Sequence, residues 1–180
     1  AMAVLTRIET PVGTIIASSD GQSLTGLWFE GQKYECSFVE DPVLDDSLPL
    51  WKNVKHALEE YFQGVGDVAP AVPIAFVGGT AFQKAVWDVL TEIPYQTVWT
   101  YKDVAERIGE KLGRKTSSRA VGTAIGRNPI SLFVPCHRVV ATTGALTGYA
   151  GGVERKRALL TLEGHSVVKD RVMKGERHEA

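Results

Sequence analysis

The run Val134-Pro135-Cys136-His137-Arg138-Val139-Val140 limits this chain more than any other stretch. A short apolar run of this kind is normally a buried strand or core segment. A thiol, an imidazole and a guanidinium inside it work against simple burial, because each needs a partner once it leaves water. Pattern and chemistry conflict here, and such conflicts collect at functional sites. Pro135 fixes its own φ and restricts Val134, so the thiol is presented on a stiff backbone. A lone free cysteine is most often a small buried hydrophobe. In this cluster His137 can serve as a base and Arg138 as a positive field, and either favours the nucleophilic thiolate.

The 180 residues suffice for one large domain or two small ones, and an apolar fraction of 44% is that of a globular chain. No apolar run approaches the length of a membrane span, and the opening residues are expected to hold no signal peptide. Ala1-Met2-Ala3 reads as a native start with a cloning remnant. The two cysteines, Cys36 and Cys136, cannot make a disulfide framework or a four-ligand zinc site by themselves. The thiol is therefore expected to work reduced, in the cytoplasm. The net charge of −1 hides an asymmetry: residues 1–80 hold four Lys/Arg against eleven Asp/Glu, and residues 81–180 hold sixteen against ten. A basic half bearing the motif suits a polyanionic partner.

The spacing predicts an antiparallel meander over residues 4–29, with strands Val4–Glu9, Thr14–Ser18 and Ser23–Phe29. Turn chemistry at Thr10–Gly13 and Ser19–Gln22 separates them. Glu30–Leu48 is polar, acidic and loop-like, with Cys36 as a bystander thiol. Trp51–Gln63 has helical spacing, with Gly64 to close it and His56 on its surface. The Gly/Pro-rich stretch 64–79 reads as a link. Thr80 and Gln83 form a capping box before an apolar stripe (Phe82, Val86, Val89, Leu90, Ile93) that stops at Pro94. Thr100 caps a helix Tyr101–Ile108, Gly109–Lys115 reads as a turn, and Ser117 or Thr116 caps a second helix from Ser118 to Gly126.

Two short helices around a Gly-containing turn form a helix-turn-helix pattern, although this turn is long for the motif. The second helix holds Ala120, Gly122, Thr123, Ala124 and Gly126. Glycine in a helix costs about 1 kcal/mol relative to alanine, so two of them need a reason. Close helix packing is one; close approach of a nucleic-acid backbone, with Arg119 and Arg127 at the ends, is the other. Eight Lys/Arg against three Asp/Glu between Tyr101 and Arg138 favour DNA. Asn128-Pro129 ends this helix, and the chain is then expected to run through an apolar strand into Cys136. Residues 141–152, with four glycines and Tyr149, can wall a flat pocket. A last helix spans Val153–Glu163. His165 and His178 are expected in solvent, and Lys169–Ala180 as a frayed tail.

V-P-C-H-R-V-V resembles the acceptor-site signature of the O6-alkylguanine-DNA alkyltransferases, also called methylated-DNA–protein-cysteine methyltransferases. Asn128-Pro129-Ile130-Ser131-Leu132-Phe133 before it and Gly148-Tyr149-Ala150-Gly151-Gly152 after it are similar to that family too. The likeness is strong from about Phe82 to Gly164. It implies an α+β chain. A small N-terminal antiparallel sheet with a helix, ribonuclease-H-like, occupies residues 1–76. A mostly helical domain with a helix-turn-helix of winged-helix type occupies 77–168, and a flexible tail 169–180. It further implies direct-reversal repair of double-stranded DNA. O6-alkylguanine, with O4-alkylthymine as a candidate second substrate, is flipped out of the duplex, and its alkyl group passes irreversibly to Cys136.

On this resemblance His137 draws the thiol proton through a water, and Glu163 orients that histidine. Tyr101 donates to the leaving base, and Asn128 bridges the reading helix and the active-site segment. Arg119 takes the place of the extruded nucleotide, on a helix whose Ser118, Ala120, Gly122, Thr123 and Arg127 meet the minor groove. Val139, Tyr149, Ala150, Gly151 and Ser131 line the pocket, with backbone N–H groups around Ala150 facing O6. No cofactor, metal, membrane or obligate protein partner is implied; cooperative assembly on DNA stays open. Four departures stand out. The Tyr101–Arg119 spacing is a few residues longer than in some relatives, Ala150 replaces a frequent Ser, Ser131 stands where certain relatives have Pro, and the N-terminal half lacks a metal-ligand cluster that some relatives carry. A Cys–His hydrolase of acyl substrates would not need the basic helix pair. A non-enzymatic damage sensor of this fold would lack the nucleophile, which is present at Cys136. An alkyl group on sulfur is a thioether that water does not remove, so each molecule is expected to react once.

Overall fold

The computed structural model describes residues 3–68 and 71–173, and the chain divides into two units: 1–79 with 129–133, and 80–128 with 134–180. In the first, β1 (Val4–Thr10), β2 (Gly13–Ser19) and β3 (Leu24–Phe29) form the expected meander, with Val4 opposite Ser19 and Ile15 opposite Phe29. A two-residue strand β4 (Val43–Leu44) adds parallel to β1, giving the order β3-β2-β1-β4. Helix α1 (Leu50–Phe62) buries Trp51, Val54, Leu58 and Tyr61 and packs on β1. Its last turn closes with Gly64 N–H on Tyr61 O and Val65 N–H on Glu60 O. His56 is exposed and paired with Glu60. The stretch read as a link is partly structural: Leu24 N–H donates to Pro73 O and Ala75 N–H to Leu24 O, both at β3.

The second unit holds α2 (Ala81–Leu90), β5 (Trp99–Thr100), α3 (Tyr101–Leu112), α4 (Ser118–Ile125), β6 (Val139–Val140), α5 (Val153–Leu162), and a hairpin of β7 (Val167–Val168) and β8 (Arg171–Val172). Capping boxes start α2 at Thr80/Gln83 and α3 at Thr100/Asp103, and Ser117 caps α4. Val98, Val140, Leu146, Leu160 and Val172 form one buried cluster.

Four expectations are corrected. Helix α3 runs through Gly109 to Leu112, so the turn shortens to Gly113–Ser117. Arg107 and Lys111, one helical turn apart, both bind Glu92 (2.8 and 2.6 Å), which favours continuing the helix over breaking it. The apolar run into Cys136 is not a strand. Pro135 lies at φ −81°, ψ 64°, and Cys136 N–H bonds Val134 O at 2.8 Å. That is an inverse γ-turn, and it leads into a 3₁₀ turn over Cys136–Arg138 before β6 pairs parallel with β5. His165 is buried, not solvated, because Gly164 turns the chain back over α5. The tail read from Lys169 begins later: Lys169 and Asp170 (φ 51° and 56°) make a two-residue hairpin turn, and Val172 is buried. His178, Ala1, Met2 and residues 174–180 lie outside the described residues. Among those described, no helix is long and apolar enough to cross a membrane.

Candidate active site

The site begins at the end of α5. Gly164, at φ 96°, adopts the left-handed conformation that ends a helix. Its N–H bonds Thr161 O, and His165 N–H bonds Leu160 O. This closure turns Glu163 inward, where 1% of the residue is exposed. A buried carboxylate is costly unless its oxygens are filled, and here they are. Oε2 lies 2.6 Å from His137 Nε2 and receives Arg138 Nη2 at 3.2 Å. Oε1 receives Arg138 Nε at 2.8 Å and the Gln96 N–H at 3.3 Å. Burial alone would push this carboxyl up. The charges and hydrogen bonds of His137 and Arg138 outweigh it and hold the group well below the usual carboxylate range. An ionised carboxylate only accepts, so Nε2 of His137 donates to it. In the neutral ring Nδ1 is then the basic nitrogen.

Arg138 is itself buried; its Nη1 donates to Ile93 O at 3.2 Å, and its guanidinium lies 5.6 Å from the centre of the Tyr95 ring. The motif's arginine is thus a two-pronged clamp on the carboxylate.

Cys136 precedes His137 on the 3₁₀ turn and is 7% exposed. Burial pushes its thiol up. The Asn128 side chain, the Lys156 ammonium and the main-chain N–H groups of Cys136 and His137 pull the other way, each by favouring the thiolate. Asn128 is held for that task, its Nδ2 donating to Val134 O at 2.9 Å. The Tyr101 hydroxyl, in the first turn of α3, donates to Thr147 O at 2.9 Å. Burial pushes its phenol up, and the nearby sulfur adds to that. Its ring packs on Gly122 of α4, where an added Cβ would meet it at 3.6 Å.

The loop after β6 is pinned at both ends: Thr147 O by Tyr101, and Gly151 O by Arg155 Nη1 at 3.1 Å. Tyr149 and Ala150 between them are half-buried and Gly151 is buried. On α4, Val121, Ala124 and Ile125 face inward, whereas Ser118, Arg119, Ala120 and Thr123 are exposed. An added Cβ at Gly122 would make only ordinary van der Waals contact with Tyr101, so internal packing does not by itself demand a glycine there, and the exposed face of the helix carries only small side chains around Arg119. Gly122, Gly126 and Arg127 are half-buried. Val139 starts β6, three residues after Cys136. Ser131 belongs to the first unit and is buried, with its N–H on Leu27 O. Among the described residues no cluster of His, Cys, Asp and Glu could hold a metal ion.

Residues 81–165 match the DNA-binding domain, and residues 4–76 the ribonuclease-like domain, of 6-O-methylguanine DNA methyltransferase. The chain belongs to the 6-O-methylguanine DNA methyltransferase family. Within the family it is 41% identical over 160 residues to the methylated-DNA–protein-cysteine methyltransferase of Haemophilus influenzae, covering 88% of this chain and 84% of the relative. The solved Mycobacterium tuberculosis O6-methylguanine methyltransferase is 38% identical with a TM-score of 0.77, over 90% of this chain and 93% of that one. The Mycobacterium tuberculosis OGT in complex with DNA is 37% identical with the same TM-score of 0.77, over 89% and 92%.

One methyltransferase-site residue escaped the sequence reading. Lys156 is 1% exposed, and its Nζ donates to Val139 O at 2.6 Å and Thr147 O at 3.1 Å. Burial pulls this ammonium down to about 8, and the charge of Cys136 works against that fall. A signal existed: Lys156, Leu159, Leu160 and Glu163 follow the i, i+3, i+4, i+7 spacing of a buried face.

Proposed function

We propose that this chain repairs alkylated duplex DNA directly, moving the alkyl group of O6-alkylguanine onto Cys136 and ending its own activity. The Cys136 sulfur attacks the alkyl carbon in line with O6. The S–C bond forms as the C–O6 bond breaks, and the thiol proton passes to His137, whose cationic form Glu163 favours. Guanine leaves with a proton at the base, and Tyr101 serves as its donor. Arg119, on the exposed shallow face of α4, fills the space of the flipped nucleotide while Ser118, Ala120, Gly122, Thr123 and Arg127 lie against the groove. Tyr149, Ala150, Gly151 and Val139 wall the pocket. O4-alkylthymine is a second substrate of the same displacement, and the protein works in the reducing cytoplasm.

The observation that carries this reading is the buried His137–Glu163 hydrogen bond next to Cys136 in sequence, where Asn128, Lys156 and two main-chain N–H groups favour thiolate against the upward push of burial, within a match to the family's DNA-binding domain. No second cysteine adjoins Cys136 in sequence to take the alkyl group onward. Mixing the protein with an O6-methylguanine duplex and weighing the Cys136 peptide tests it. One methylene per molecule is expected on that peptide, none in Cys136→Ala, and no further repair after one equivalent. Sustained turnover by limiting protein, or an unmodified Cys136, overturns it.

A further inference from the structure

The least economical residue in the second unit is Lys156. A buried ammonium is costly, and a methionine would fill a similar space. Its polar contacts are two main-chain carbonyls, Val139 O at 2.6 Å and Thr147 O at 3.1 Å, and the charge it faces is that of Cys136. Those carbonyls are not arbitrary. Val139 follows directly on the Cys136–Arg138 turn. Thr147 O is also the acceptor of the Tyr101 hydroxyl, at 2.9 Å. One carbonyl therefore receives two donors, a phenol from α3 and an ammonium from α5.

We propose that Lys156 is a positioning residue for alkyl transfer: it ties the segment after the nucleophile to the Thr147 loop, and it holds the Thr147 carbonyl when Tyr101 turns its hydroxyl to the incoming base. In the free protein the phenol is parked on Thr147 O. Donating to a substrate requires it to leave that acceptor, and a carbonyl stripped of its donor in a part-buried site would resist the change. Lys156 removes that resistance, so the loop keeps its place while the hydroxyl moves. The same cation, held on the Val139 carbonyl three residues after the nucleophile, favours thiolate at Cys136. The substrate half of this inference rests on the proposed function; the link to the sulfur does not.

Lys156→Met tests both halves. Reaction of Cys136 with iodoacetamide, followed against pH without DNA, reads thiolate alone. Loss of a facing cation should move that profile to higher pH and slow the reaction roughly tenfold near neutrality. Transfer from an O6-methylguanine duplex should fall further than the iodoacetamide rate, because Tyr101 is also mispositioned. Tyr101→Phe should slow the parent protein clearly but add little in the Lys156→Met background. A merely structural lysine would leave the pH profile unmoved and the two substitutions additive, and either result overturns the proposal. Should the methionine variant not fold, Lys156→Arg takes its place. Its charge should keep the iodoacetamide profile, while its planar fork misplaces the two carbonyls and slows transfer at least roughly tenfold; transfer at the parent rate overturns the proposal. If the unaltered protein itself transfers nothing from DNA, the repair assignment fails, and the iodoacetamide profiles still decide the Lys156–Cys136 link.

Discussion

His137 Nε2 meets Glu163 Oε2 at 2.6 Å with both side chains fully out of solvent, and the same carboxylate is gripped from its other side by Arg138. Glu163→Gln keeps the shape but removes the charge. The amide can present its N–H to His137, which favours the tautomer with the proton on Nδ1, the nitrogen needed as base. Transfer should slow on the order of 10²–10⁴-fold. Arg138 is left as a buried charge without its counter-ion, which costs about 3–5 kcal/mol. Single-turnover kinetics and urea unfolding at pH 7 measure the two effects.

The same carboxylate sets an acid limit. Its folded pKa lies below the unfolded value, so the stability it contributes is fully present above the unfolded value of about 4.3 and is lost as pH falls toward the folded one. The urea midpoint should drop below about pH 4.3, and Glu163→Gln should flatten that part of the profile. An equally steep fall in the variant would assign the acid limit to other groups.

Gly148 holds φ 67°, and an added Cβ would lie 3.3 Å from the Tyr101 hydroxyl. Gly148→Ala should therefore cost about 1–2 kcal/mol from backbone strain, with a further loss of transfer as the phenol is displaced. A melting curve and a transfer rate both unchanged would show that the loop relaxes freely.

Arg119 is exposed at the start of α4. Arg119→Ala should slow repair of duplex O6-methylguanine roughly 10- to 100-fold, in line with the few kcal/mol needed to extrude a base. Reaction with the free base should change little. Equal losses on both substrates would remove the flipping role.

What was legible in the sequence followed from local chemistry. Thr80 and Gln83, Thr100, and Ser117 announce their helices because a cap is a short-range bond. Val4–Phe29 reads as a meander because alternation and turn residues agree. Cys136 and His137 stand out because their chemistry conflicts with their setting. What was missed depends on distant partners. Gly109 looks like a helix end until Arg107 and Lys111 are seen to share Glu92, fifteen and nineteen residues upstream. Pro129–Phe133 belongs to the first unit because Leu27 supplies its partners, Leu27 O accepting from Ser131 and Leu27 N–H donating to Pro129 O. For Lys156 the helical spacing signals only a buried face; the carbonyls that hold it belong to loop and strand backbone, which carries no side-chain signature.

Helix α5 carries Lys156 and is capped by Glu163 two turns later on the same stripe, and each reaches a different part of the site. One residue inserted between them would swing one charge ~100° around the axis relative to the other. No register of such a helix could seat both. Natural insertions and deletions in proteins built this way should thus spare the interval 156–163 and collect in the flanking loops, making the length of that interval a stricter mark of a working enzyme than the identity of most residues within it.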